Sequence, residues 1–564
     1  DSSSFRCLTW TSSDETYDLL YRSREKVGDS SHHLPSTLVY SRTSGFLETV
    51  TSGTDATLAA FESGGYSAVA ALGRYVLLAG NAVTPTQLEV DEVATNAGRN
   101  ASVAWVRGGS HSRTYSVSLT RASDGVAVTA SYTTKAASYE TPLDTSDILY
   151  TDPEYQKKIN DRVYAYNSEV NKWIAEAAKD ITPDNIAEKL RLALVAAGFT
   201  TILRIGAHLC MTDAENLVVE DGGVGAFIVA LGRTTRAADE VTNIHYVGKT
   251  IQVTPLGSDE GSFYLKAFPR EEGSDDLFQQ VVWRESAGVS QTPQGVVAIG
   301  TVHEGKWFLA SSPTALQALL DSTAVSAPEV PQLQASRAGD LLSSPRPYFF
   351  GQRITAIAVF QDRLVLCAGS TVNMSRPGDY FNFYRQSALS LTEDDPVEVY
   401  ALGSEGDTIR RATVYDRNLL LIGDQFHYTM SGRVAQTPTS ASIAVQATIQ
   451  GTSGAMPKSA MQHTFFLKED TQLAACRLMQ IKLGVFQDSP AIEDVSKQLR
   501  DYINGSPAEL AIVTGPSAVF VRTEHFRRAQ GAFPIARPWG SYCYNYLDQA
   551  DGQRVNVQRV YGPR

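Results

Sequence analysis

The sequence predicts a mainly β chain: a β-propeller-like core built of repeated antiparallel hairpins, with an inserted α/β domain. Three observations lead there. Short Val/Leu/Ile/Tyr/Phe runs recur between Gly, Asp, Asn, Ser and Pro clusters, as in "GSFYLKAF" and "AELAIVTGPSAVFVRT". One strand–turn–strand unit returns as "LGRYVLLAGNAV", "QDRLVLCAGSTV" and "YDRNLLLIGDQF". A well-marked helical stretch interrupts this cadence. At 564 residues the chain exceeds what one ordinary core organises, so several domains or one large repeated architecture is expected.

Residues 1–100 are expected to supply N-terminal propeller-like strands, including the first copy of the unit. In each copy an Arg is followed six residues later by a Gly: Arg74/Gly80, Arg363/Gly369 and Arg417/Gly423. An apolar residue follows each Gly by three: Val83, Val372 and Phe426. Such a pattern suits a strand, a tight Gly turn and a second strand, with the Arg kept wet at the preceding turn. The last two copies lie 54 residues apart, near the ~40–50-residue unit of propeller blades.

Residues 101–222 are expected to form the inserted domain. "YSVSLTRASDGVAVTASY" reads as a hairpin, with Tyr115, Val117 and Leu119 on one strand and Val126, Val128, Ala130 and Tyr132 on the other. Asp124-Gly125 supplies a turn, since both residues tolerate positive φ. "PEYQKKINDRVYAYNSEVNKWIAEAAKD" reads as a helix with a polar exposed face. "TPDNIAEKLRLALVAAG" follows, with Thr182 as N-cap, Pro183 at the first helical position, Gly198 past the end and a buried Ile186/Leu190/Leu194 stripe. Residues 223–340 are expected to return to the core as a β-rich segment. "GSDEGSFY" there resembles faintly the Asp-box turn of propeller sialidases, but Gly257 stands where Ser or Thr belongs, so a plain turn feeding a strand at Phe263–Ala267 is expected. Residues 341–564 carry the rest of the core.

Composition and motifs exclude several classes. The net charge of −12 argues against a non-specific nucleic-acid binder. Five scattered cysteines, Cys7, Cys210, Cys367, Cys476 and Cys543, read as free thiols rather than a disulfide framework. His208 and Cys210 lack a second ligand pair for zinc. No apolar run reaches the ~18–20 residues of a membrane helix, and no signal-peptide pattern is present. The chain opens on Asp1 rather than Met, which reads as processing, truncation or incomplete representation. No GxSxG, HExxH, Walker A or strand-borne GxGxxG occurs, so no enzyme and no cofactor is expected. A carboxylate pair for glycan cleavage stays open, because no motif search excludes it. The acidic run "LTEDDPVEVYALGSEGDT" reads as a solvated loop and strand, or else a cation site or a contact for a basic partner. "EHFRRAQGAFPIARPWG" is basic and aromatic, an exposed loop or a contact for an acidic neighbour.

The richest stretch is "FQDRLVLCAGSTVNMSRPGDYFNFY". Tyr380, Phe381, Phe383 and Tyr384 crowd around Asn382 beside an Arg-Pro-Gly-Asp turn, as a stacking platform, a core plug or a structural signature. With "LSLTEDDPVEV" after it, this block resembles the tail tubular protein B, or tail nozzle, family of short-tailed bacteriophages. Arg363, Leu364, Gly369, Val372, Ser375, Arg376, Tyr380, Phe381, Asn382, Phe383 and Tyr384 fit the family pattern. So do Leu391, Asp394, Asp395, Pro396, Val397, Glu398 and Val399. The family's Gly-Gly-Ile-Ser-Gln-like opening is not found. The resemblance implies a virion tail protein without catalytic, cofactor or metal residues. It implies a homo-oligomeric, hexameric ring forming the distal nozzle, contacting a tail adaptor and tail fibres. Viral DNA would pass in transit without specific binding, and the host envelope would be met during ejection. It also implies that the twelve signature positions from Arg363 to Pro396 are structural or interfacial: Arg363, Gly369, Ser375, Arg376, Tyr380, Phe381, Asn382, Phe383, Tyr384, Asp394, Asp395 and Pro396. The readings held against it are a propeller-type tail protein that binds or cleaves host surface glycans, and a cellular propeller interaction module.

Overall fold

Three hairpins in the computed structural model share one construction. Tyr66–Leu72 pairs with Tyr75–Gly80, Ile354–Phe360 with Arg363–Ala368, and Ile409–Tyr415 with Asn418–Gly423. Each has a two-residue turn, five antiparallel rungs and then a register shift, at Ser67, Thr355 and Arg410. The turns need left-handed backbone, as the twist of a tight hairpin demands. It appears at Gly73 (φ 57°), Gln361 (φ 48°), Asp362 (φ 57°) and Arg417 (φ 64°). The structure describes residues 5–561 except 13, 24–34, 256–261, 272, 274, 402–405, 416, 449–454, 461–462, 471, 483–490, 500–501, 515–516, 525, 528–535, 538–539 and 546–556.

The register corrects one detail of the repeat. Gly80 and Gly423 occupy the position of Ala368, and Gly369 falls one place later. Arg74 and Arg417 sit in their turns and are exposed. Arg363 is instead the first residue of its strand and is 3% exposed. The expectation of a wet Arg fails there, because a one-residue offset moves a side chain from the turn onto a strand face.

The strands gather into small sheets in chain order. The first contains Phe5–Ser12, Glu15–Arg22, Thr37–Ser41 and Gly45–Phe46. The second joins Glu48–Thr51, Tyr66–Leu72 and Tyr75–Gly80 to Ala298–His303 and Lys306–Ala310. The third lies within residues 354–400, the fourth within 409–448, the fifth within 458–494 and the sixth within 506–561. Consecutive sheets share apolar layers. Trp10 and Leu19 meet Leu78 and Trp307, and Leu77 and Phe308 meet Ile357 and Leu364. Val365 and Cys367 meet Ala412 and Leu421. Leu420 and Ile422 meet Phe466 and Ile481, and Leu467 and Leu478 meet Leu510 and Val521. Each such buried Val, Leu, Ile or Phe side chain contributes about 1.5–3 kcal/mol. Polar contacts link the sixth sheet to the first: the Cys7 N–H donates to Glu509 Oε1 at 3.0 Å, and Arg522 Nη2 donates to the Phe5 carbonyl at 3.0 Å.

The irregular residues of the hairpins join neighbouring sheets. Ser67 Oγ donates to the Ile354 carbonyl at 2.6 Å, and Thr355 Oγ1 donates to the Ile409 carbonyl at 2.5 Å. Each accepting carbonyl immediately precedes the next register shift. Arg411 Nη1 reaches back to the Ser67 carbonyl at 3.1 Å.

The chain leaves the second sheet along Thr86–Asp91 and returns along Val289–Gln294, and these strands pair with each other. Between them, Thr114–Arg121 and Ala127–Thr133 form a hairpin in which Tyr115 faces Tyr132, Val117 faces Ala130 and Leu119 faces Val128. Val126 is exposed and precedes the strand, and of Asp124-Gly125 only Gly125 takes positive φ. The helix Pro183–Ala196 buries Ile186, Leu190 and Leu194 completely, with Gly198 at φ 89° beyond its end. Thr182 holds the N-cap backbone position, but its hydroxyl donates to the Lys179 carbonyl rather than capping an N–H. The preceding helix, Tyr155–Asp180, is unlike it: only Ala177 and Asp180 are buried. An extended segment lies along it, placing the Tyr139 ring edge-on to Tyr166 and Trp173 at 5.8 Å from each. No helix among the described residues is long and apolar enough to cross a membrane.

Candidate functional site

The block from Gln361 to Pro396 is a hydrogen-bonded knot around a hairpin turn. Gln and Asp occupy the left-handed turn positions where Gly or Asn would cost less. Their side chains account for this. Gln361 Nε2 donates to the Gly432 and Val434 carbonyls at 3.2 and 2.9 Å, and its Oε1 accepts from the Gln436 N–H at 2.9 Å. Asp362 accepts from the Tyr380 hydroxyl, and its carbonyl accepts from the Gly378 N–H at 2.8 Å.

Arg363 is the hub. Its Nη1 donates to the Ser375 and Asp395 carbonyls, both at 2.8 Å, and its Nη2 donates to the Glu393 carbonyl at 3.1 Å. Burial holds this guanidinium below its usual pKa; Arg376 adds to that, while Asp394 and Asp395 oppose it. One planar fork thus ties together three backbone points that no strand pairing satisfies. Ser375 is fully buried; its Oγ accepts from the Leu364 N–H at 2.9 Å and donates to the Arg376 carbonyl at 3.1 Å. Arg376 Nε donates to the Asp394 carbonyl at 3.2 Å, and its N–H to the Asn382 carbonyl at 3.0 Å.

Asp395, inside the acidic run, is fully buried. Its carboxylate accepts from the Gln386 and Thr392 N–H groups at 3.2 and 2.8 Å, folding the loop onto itself. Asp394, Glu393 and Thr392 are exposed, and Val397–Tyr400 forms a strand. The Gly369 carbonyl accepts from the Ile409 N–H at 2.8 Å, and Gly369 itself, at φ 58°, turns the chain toward Thr371.

The aromatics go inward. Phe381, Phe383 and Tyr384 are 3%, 5% and 3% exposed and lie in the layer between the second and third sheets. The Phe383 ring meets Phe349 edge-on at 5.2 Å. Asn382 is also buried: its Oδ1 accepts from the Tyr384 N–H, and its Nδ2 donates to Asp379 Oδ2, both at 3.1 Å. Only Tyr380 stays half-exposed. Four side chains in five positions thus fill a core, and none forms an open stacking platform.

Nothing in this arrangement resembles reaction machinery. Among the described residues no three His, Cys, Asp or Glu side chains gather as a metal site. The cysteines are unpaired. Burial pushes the Cys210 and Cys367 thiols up to about 12, away from a reactive thiolate. His208 stacks on Trp105 at 5.2 Å, and burial lowers its pKa.

One feature beside the block was not legible in the sequence. A cavity of about 540 Å³ is lined by Arg346, Tyr348, Asn373, Tyr384, Arg385 and Tyr400, among others. It gathers residues far apart in the chain, so no local motif announces it. The nearest sequence signal was Tyr384, which lies at its wall as well as in the core.

A family model described as bacteriophage nozzle protein matches residues 75–529. Tail tubular protein gp12 of Escherichia phage T7 is 26% identical over 170 residues, which are 29% of this chain and 21% of that protein. The alignment thus spans about a fifth of that relative's length. Among solved structures, the N-terminal domain of Nup159 aligns at TM-score 0.26 and 9% identity, over 47% of this chain and 58% of that one. PorZ of Porphyromonas gingivalis aligns at TM-score 0.16 and 10% identity, over 56% and 44%. The family match covers most of the chain and contains the whole Arg363–Pro396 block. The chain belongs to the bacteriophage nozzle protein family, structural proteins of the virion tail rather than enzymes.

Proposed function

We propose that this chain is one subunit of a homo-oligomeric, hexameric ring at the distal end of a short phage tail, the nozzle through which the genome leaves. The observation that carries this reading is the order of the sheets. Six small sheets pack each against the next, and the Cys7–Glu509 and Arg522–Phe5 hydrogen bonds join the last to the first. Such an arrangement is the one expected of a closed β-propeller-like core in which no sheet is left without a neighbour. The body between Thr86–Asp91 and Val289–Gln294 is then an insertion carried on two paired strands. It and the outer strands supply surface for a tail adaptor and tail fibres.

A tube for DNA works best when it does not hold phosphate. The net charge of −12 favours repulsion over adhesion along an aqueous lumen. The twelve signature residues are then scaffold. They hold two sheets and a loop at fixed geometry, as expected of a part whose work is shape and contact.

Electron microscopy of the purified chain, or of tails containing it, tests this. Rings with a central channel are expected. A strictly monomeric particle that never joins tails overturns the reading.

A further inference from the structure

We propose that the cavity between the 344–352 segment and the Val397–Tyr400 strand binds an anionic saccharide. The cavity, about 540 Å³, falls within the range of small-molecule sites. Its lining is half polar, where an empty internal void would be apolar. Asn373 is 2% exposed and its Oδ1 has no hydrogen-bond partner; Tyr384 is 3% exposed and its hydroxyl has none either. Both residues line the cavity. Two buried polar atoms left unmet are costly. Ligand hydroxyl groups would satisfy an amide oxygen and a phenol together.

The register fixes how the wall is built. Leu366, Asn373 and Glu398 stand opposite one another on adjacent strands, so they share one face that runs from the apolar layer to the cavity. Glu398 is already engaged: its Oε2 accepts from the Tyr348 N–H at 3.0 Å and its Oε1 from the Tyr400 hydroxyl at 2.8 Å. This fixes two tyrosines at the mouth, 42% and 47% exposed, their rings edge-on at 5.6 Å. Exposed ring faces held in place are what the C–H faces of a sugar pack upon.

Charge selects the class of sugar. Arg346 and Arg385 line the cavity, are exposed, and make no ion pair among the described residues. The one lining carboxylate, Glu398, already accepts from Tyr348 and Tyr400. In a chain of net charge −12, two uncommitted guanidinium groups around a recess form a local positive site. Planar guanidinium groups take carboxylate or phosphate with two hydrogen bonds. An acidic peptide shares that charge. It lacks the ring of hydroxyl groups that would meet both Asn373 and Tyr384, and the observations favour the saccharide.

Saturation-transfer NMR and calorimetry on the full chain test this with four probes: trigalacturonate, neutral galactotriose, glucose 1-phosphate and a Glu-rich pentapeptide. Binding of trigalacturonate or glucose 1-phosphate, with galactotriose weaker by about tenfold or more, is expected. Which of the two acidic sugars binds separates a carboxylated from a phosphorylated ligand. Arg385→Gln and Arg346→Gln, both at exposed positions, should each weaken binding by about tenfold at an unchanged melting temperature. Tyr400→Ala tests the mouth and keeps the buried wall intact. Binding of the pentapeptide alone, binding of no acidic sugar, or affinity unchanged in both arginine variants overturns the proposal.

Discussion

The Arg363–Pro396 block and the Tyr155–Asp180 helix use their residues in opposite ways. In the block, the Arg363, Ser375, Asn382 and Asp395 side chains are buried and hydrogen-bonded, and Phe381, Phe383 and Tyr384 fill a layer between sheets. In the helix, 26 residues leave only Ala177 and Asp180 buried, and Tyr164 is 79% exposed. The first region fixes residue identity, because each side chain completes a contact that another residue type would break. The second fixes only helicity and one face. That contrast explains why the block alone read as a family signature while the helix read only as a helix.

Substitutions can break or sharpen the contrast. The largest effect is expected at Phe381→Ala, where an aromatic ring leaves the layer between two sheets; a loss of about 3–5 kcal/mol should appear in the denaturation midpoint. Arg363→Met follows. It leaves the Ser375, Asp395 and Glu393 carbonyls without their donor, at roughly 3 kcal/mol. Arg363→Lys should recover only part of that, because an ammonium cannot reproduce the fork.

Acid should act next. Burial lowers the pKa of His427 to about 4, and its ring packs on Phe466 at 4.8 Å between the fourth and fifth sheets. Burial, then Lys249, lowers His245 to about 3. Both are neutral in the folded chain while the unfolded chain takes up protons below about 6.5. Their stabilisation is therefore complete above that pH and is lost as pH falls toward 4. For His427 alone the loss is on the order of 2–3 kcal/mol. His427→Gln should flatten the slope of stability against pH over that window, and an unchanged slope would remove His427 as its source.

Thr355→Val removes the hydroxyl bond to Ile409 and should cost about 1 kcal/mol in the same denaturation series. Tyr164→Ser on the helix should stay within about 0.5 kcal/mol. If it approached the Phe381→Ala value, the helix would be as residue-specific as the block, and the contrast would fail.

Much of the fold was legible where signals were local. Pro183, Gly198 and the Ile186/Leu190/Leu194 stripe mark a helix by chemistry within one segment. The Arg–Gly spacing located three real hairpins. It misplaced Gly369 by one rung and left Arg363 in water, because Gln361-Asp362 forms a left-handed turn without glycine. Their fitness for that turn depends on Gln436 and Tyr380, which local sequence does not display. The burial of Asp395 was hidden for a similar reason: its charge suggests solvent until the N–H groups of Gln386 and Thr392 are in view. The cavity was hidden more deeply, since Arg346, Asn373, Arg385 and Tyr400 meet only after the flanking loops have folded against the third sheet.

The paired strands Thr86–Asp91 and Val289–Gln294 have a consequence for how such a chain can diverge. Antiparallel neighbours keep their Cα atoms about 4.5–5.5 Å apart, so the splice points Asp91 and Val289, which face each other, form a fixed socket. Any cassette whose two ends meet at that distance can be exchanged there without moving the sheets beneath it. The lobe can therefore be rewritten while the sheets beneath it keep their spacing.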